Sequence, residues 1–288
     1  MSMKKENLFA VQHQDAPRRR RVALVLGGGA LLASWPKTNW AQAAPGASGG
    51  SALRPLMAVN LSGRQRTLGL RAARCYAQLG LGVLPPQSAQ AMRSSVAEFE
   101  STQARLGPFC AGKPSARLLA AVASRWGRFA ATLREVPDRE GARDLSDMFE
   151  VYISACSALH DQVVKEVAVP AASAVSAAGR QRFLSQRAAQ IFMFREWGLP
   201  VGDLNELLAL KTEAQQIRVN LRNRAEVTSD ARRELDVAET QWIFFDDALR
   251  VQMNGRADEV ARRNVATTSE RLFQLFEKLT LSVVTSNE

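Results

Sequence analysis

The chain writes one cationic pattern twice, as NLSGRQRTLGLRAA from Asn60 and as SAAGRQRFLSQRAA from Ser176. In each copy a glycine (Gly63, Gly179) is followed at once by an arginine (Arg64, Arg180) and, three residues on, by another (Arg66, Arg182). A guanidinium is a permanently charged planar fork that meets a planar oxyanion through two parallel hydrogen bonds. The chemistry these residues suit is therefore anion recognition. Neither His13 nor His160 has neighbours spaced as a metal set or a triad, and no nucleophile and base assemble, so no catalytic residue, metal or cofactor is expected. His160 is expected at a helix surface.

Helical geometry at about 100° per residue divides the first copy into two faces. Leu61, Leu68, Ala72, Cys75 and Leu79 share one side, which suits the helix's own bundle. Leu56, Val59, Gly63, Arg66, Leu70, Ala73 and Ala77 share nearly the opposite side, matched by Ala172, Val175, Gly179, Arg182, Gln186, Ala189 and Met193 in the second copy. A lone surface helix has no use for that second apolar face. A mid-helix glycine costs roughly 1 kcal/mol against alanine, so its repetition suggests close approach of a backbone or a ligand. If the two faces meet, Arg66 and Arg182 would oppose each other over Gly63 and Gly179 with an anion between them. The competing reading is that these arginines form salt bridges to Glu or Asp of neighbouring helices.

The repetition extends well past the motif. At a constant offset of 116 residues, Gly82 matches Gly198, Arg117 matches Arg233, Trp126 matches Trp242, Phe129 matches Phe245 and Leu159 matches Leu275. One ungapped register over that length points to tandem duplication. Glycine and proline breaks divide each unit into four helical segments, at 80–86, 107–114 and 137–141 in the first and 198–202, 228–230 and 254–255 in the second. The expectation is an all-α protein of two tandem antiparallel four-helix bundles, 53–168 and 169–284, with a tail at 285–288 and Pro170 bending or starting the junction. Leu118, Val122, Trp126, Phe129 and Leu133, with Leu235, Ala238, Trp242, Phe245 and Leu249, recur at core spacing.

Residues 1–43 are set apart by composition. Arg18 to Arg21 precede the apolar run VALVLGGGALLAS, and Ala41 and Ala43 fit a small-x-small cleavage site, which together read as an export signal followed by a linker at 44–52. The apolar run is too short for a permanent anchor. Its paired arginines suit either the twin-arginine or the general route. VALVLGGGA also resembles a phosphate loop, but no βα alternation follows. Of 38 Lys and Arg and 28 Asp and Glu, the leader holds seven and two, so the rest is only mildly basic. Beyond Arg21 there is no basic run with interleaved aromatics, which argues against nucleic acid. Cys75, Cys110 and Cys156 have no metal spacing and read as small buried apolar residues rather than as a disulfide with one thiol left over.

Both motifs resemble the first helix of the PilJ-type domain, the sensor module of type IV pilus chemotaxis transducers, which is similar to the periplasmic domain of nitrate/nitrite sensor kinases. The resemblance implies a periplasmic four-helix bundle. It implies also that ligand lies between two first helices, with Arg66 and Arg182 as the binding arginines and Gly63 and Gly179 as the helix glycines. Arg64 and Arg180 depart from the nitrate kinases, and the family's membrane helices and output domain are absent. The function that follows is an exported soluble module that binds a small anion, nitrate or nitrite in kind, within one chain or across a homodimer, and signals through a periplasmic or membrane partner. The alternative is a ligand-free adaptor that contacts pilus or envelope components through the same helices. Intact-mass measurement of the exported protein should give a chain beginning at Ala44; a periplasmic species that retains residues 1–43 contradicts the leader reading.

Overall fold

The computed structural model describes residues 52–253 and 257–288; the leader and linker expected at 1–43 and 44–52 fall outside them but for residue 52, as does the break expected at 254–255. Among the described residues there are eight helices and no strand: α1 (Pro55–Gly80), α2 (Pro85–Cys110), α3 (Ser115–Arg134), α4 (Arg139–Val167), α5 (Pro170–Glu196), α6 (Leu204–Arg222), α7 (Ser229–Met253) and α8 (Glu259–Asn287). The protein is an all-α helical bundle. Proline opens α1, α2 and α5 at the first helical position, where its missing N–H costs nothing. Asp138, Asp203 and Asp258 cap α4, α6 and α8 by accepting from the backbone N–H three residues on. Between α4 and α5, Ala168 takes a left-handed φ of 49° and Val169 is extended ahead of Pro170. The junction is thus a break and a restart, not a bend in one helix.

α1 to α4 pack in cyclic order, as do α5 to α8. The two sets do not have separate cores, however. α1 lies against α5 and α8 as well as against α2 and α4, and the buried apolar residues of both sets form one continuous cluster. Consequently α1 and α5 are buried almost all round, whereas α3 buries only one stripe. A helix covered on every side cannot show a strong amphipathic pattern, which explains why α1 carries two apolar faces.

Aromatic packing fills the first set. Phe99 of α2 stacks on Trp126 of α3 at 3.8 Å between ring centroids, and Phe129 stacks on Tyr152 of α4 at 5.0 Å. The Tyr152 hydroxyl reaches into α1 and donates to the Gln65 carbonyl at 2.6 Å. Its ring occupies the space beside Gly69, where an added Cβ would stand 2.4 Å from it. Cys75, Cys110 and Cys156 are buried and unbridged. None of the described helices is long and apolar enough to cross a membrane.

Phe129 has no exposed surface and contacts both Trp126 and Tyr152. Replacing it with alanine should cost about 3–5 kcal/mol in urea unfolding; a loss under about 1 kcal/mol contradicts this packing.

Candidate functional site

Burying α1 and α5 takes their arginines out of water. An unpaired guanidinium in such a place is expensive, so each needs a carboxylate, a set of hydrogen-bond acceptors or a ligand. Most find carboxylates. Arg64 reaches Glu98 of α2 and Glu277 of α8. Arg180 holds Glu213 of α6 in a two-point pair at 2.6 and 2.9 Å. Arg187 pairs with Glu206 at 2.7 Å and lies over the Phe149 ring. Two glutamates of α8, seven residues apart, serve the seam itself. Glu270 takes Arg71 at 2.6 Å and Arg74 at 2.8 Å, both from α1.

Glu277 bridges the motif helices directly. It accepts from Arg182 Nη1 at 2.6 Å and pairs with Arg64 Nε at 3.2 Å, tying α5 and α1 to α8 through one carboxylate. Arg182 Nη2 also donates to Asn60 Oδ1 at 2.8 Å across the α1–α5 contact. Burial would raise the Glu277 carboxyl, but Arg182 and Arg64 hold it below its ordinary value. This corrects the picture of two unneutralised guanidiniums sharing one anion, because Arg182 already has its counter-charge. Arg64 and Arg180 are likewise engaged, for the same electrostatic reason.

Arg66 differs. It is 6% exposed, and no carboxylate among the described residues lies within ion-pair distance of it. Nη1 donates to Ser157 Oγ of α4 at a long 3.3 Å, and Nε is buried with no partner. Its guanidinium lies 5.4 Å from the Phe183 ring, which Arg180 approaches from 4.4 Å. Burial, then Arg180, lowers the Arg66 pKa to about 10, and Asp161 opposes the shift. Asp161 occupies the place that the 116-residue offset pairs with Glu277, yet it is exposed and makes no ion pair with Arg66. The two halves are chemically unequal at this point: one arginine is neutralised from within the protein and the other is not.

His160 of α4 lies beside Arg66, buried, which corrects the expected surface placement. It falls in the core series Phe149, Tyr152, Cys156, Leu159 and Val163, and that periodicity was the available signal. Ser62 Oγ donates to the Val59 carbonyl and so accepts from His160 Nδ1 at 3.0 Å. Nε2 then accepts from Ser176 Oγ of α5 at 2.7 Å. Burial first, then Arg66, Arg182 and Arg180, push the imidazole down to about 3, so it stays neutral.

The glycines also have other uses than flooring a ligand gap. A Cβ on Gly63 would stand 3.1 Å from the His160 ring, and one on Gly179 would stand 2.9 Å from the folded-back Arg182 guanidinium. Each makes room for a polar group of the protein itself. Ser157, His160, Asn60 and Glu277 are the members that residue patterns alone did not single out. Among the described residues no three His, Cys, Asp or Glu side chains converge as a metal set.

Glu270 tests the role of the α8 carboxylates. Burial opposes its ionisation, but Arg71 and Arg74 bring its pKa to about 2 from an ordinary 4.5. Its contribution is complete above pH 4.5 and is lost as pH falls through about 2. E270Q should cost about 3–5 kcal/mol at pH 7 in urea unfolding. The gap from wild type should close on acidification; a gap that is constant with pH contradicts the assignment.

No protein-family model, no curated protein and no solved structure matches the chain.

Proposed function

We propose that the chain is an exported binding module of the PilJ type that takes a small planar anion, nitrate or nitrite in kind, beside Arg66 at the junction of α1, α4 and α5. The bound state is then read by a partner in the cell envelope. The observation that carries this reading is Arg66 itself, a guanidinium almost wholly removed from water, with an unpartnered Nε and no carboxylate in reach. A monovalent oxyanion would supply both the missing charge and the missing acceptor. Ser157 Oγ adds a hydroxyl on the same side, and the Phe183 ring lies against the guanidinium. The GRQR resemblance points to the same arginine. Relative to the symmetric expectation, the proposal is narrower: one arginine, not two, faces ligand.

The adaptor reading has one observation in its favour. α7 exposes Ile243 and Phe244, at 67% and 60%, and Phe244 shares a surface groove with Val260 of α8. Exposed side chains of this size suit protein contact.

Calorimetry on the full chain separates the two readings. Nitrate or nitrite should bind in preference to sulfate and phosphate, and R66K, which keeps charge but loses the fork, should weaken binding at least about tenfold. R182K should mainly lower stability, because that guanidinium is occupied by Glu277. No heat with any of the four anions, or binding indifferent to R66K, favours the adaptor.

A further inference from the structure

Arg66 is not alone among buried arginines in lacking a counter-charge. Arg218 of α6, inside the second set of helices and outside the GRQR motifs, is 8% exposed and has no carboxylate within ion-pair distance among the described residues. Its single hydrogen bond is from Nη1 to Gln181 Oε1 of α5 at 3.3 Å, and its Nε is buried without a partner. The guanidinium lies 5.1 Å from the ring centroid of Trp242 on α7, whose Nε1 is also buried without a partner. Gln181 is fixed in turn, since its Nε2 donates to the Ala214 carbonyl at 2.9 Å. Three helices therefore bring together a full positive charge and two unanswered N–H donors.

Leaving such donors unmet costs about 1–3 kcal/mol each, and an unanswered charge costs more. The carboxylate whose charge acts on Arg218 is Glu239, and Arg222 holds it at 2.6 Å. Water could satisfy the donors but would not supply charge. In the first set Trp126 carries the same unpartnered indole, but Thr102 stands where the 116-residue offset would place the arginine, so the charged arrangement belongs to the second set alone.

We propose that Arg218, Trp242 and Gln181 form a second anion site, distinct from the one at Arg66. One guanidinium balances one negative charge. The class of ligand is therefore a small monovalent anion with at least one strong hydrogen-bond acceptor, such as a carboxylate, nitrate or halide.

Sodium formate, which does not quench tryptophan, is the probe, titrated into the full chain at constant ionic strength with sodium sulfate as the dianion control. The emission that W242F removes from wild type reports on Trp242. That emission should change saturably with formate and not with sulfate. R218M, which replaces the charge with an apolar chain of similar length, should raise the formate Kd at least about tenfold, while R66K leaves this response unchanged. Circular dichroism is used to check that R218M is folded, and R218K provides a second variant that keeps the charge. No formate response of Trp242 in wild type, or an equal response in R218M and R218K, overturns the site. The Arg66 reading is judged separately, by nitrate calorimetry that compares R218M with the R66K/R218M double variant, so either site can fail without the other.

Discussion

Charge burial governs this molecule. The eight helices of the described residues could form two independent bundles with their arginines in water; instead α1 and α5 are pressed together and enclosed, and an arginine on their shared surface needs a counter-charge or acceptor. The answers come mostly from α8. Glu270 and Glu277 stand seven residues apart on one face of that helix and clamp arginines of α1 and α5. Such pairs contribute less to net stability than to uniqueness of arrangement, because desolvation offsets much of their attraction, but removing one partner is costly. They tie α1 and α5 to α8.

That constraint explains the inequality between the halves. Arg182 and Arg66 occupy matching places in the two motifs, yet Glu277 meets one of them and Asp161, exposed on α4, does not meet the other. Asn60 and Ser176 diverge similarly: the amide accepts from Arg182, whereas the hydroxyl serves His160. The neutral imidazole, held between Ser62 and Ser176, links α4 to α1 and α5 without adding charge. The two GRQR motifs thus carry one arginine with a counter-charge and one without.

Much of the architecture was legible in the residues. Glycine and proline breaks placed the helices, and the second apolar face of the GRQR helix at Leu56, Val59, Leu70 and Ala73 corresponds to surface that is buried in the folded chain. The internal core positions Val122, Trp126, Phe129 and Leu133 were set by spacing alone. Partner choice was not legible. Glu277 lies 95 residues from Arg182, and nothing local marks it as the carboxylate that would reach there. The roles of Gly63 and Gly179 were equally hidden, since a missing Cβ signals close approach without saying what approaches. His160 is buried and not at the surface because its place in the Phe149 to Val163 series outweighs the polarity of a lone imidazole.

The environment of Arg66 is the deciding feature. A crystal grown in bromide and measured at the bromine absorption edge reads it directly, since a halide can occupy a small monovalent anion site. An anomalous peak within hydrogen-bond reach of the Arg66 guanidinium, with none at Arg182, is the expected result. A bare Arg66 bonded to the Asp161 carboxylate, or a peak at Arg182 in place of Glu277, would contradict it.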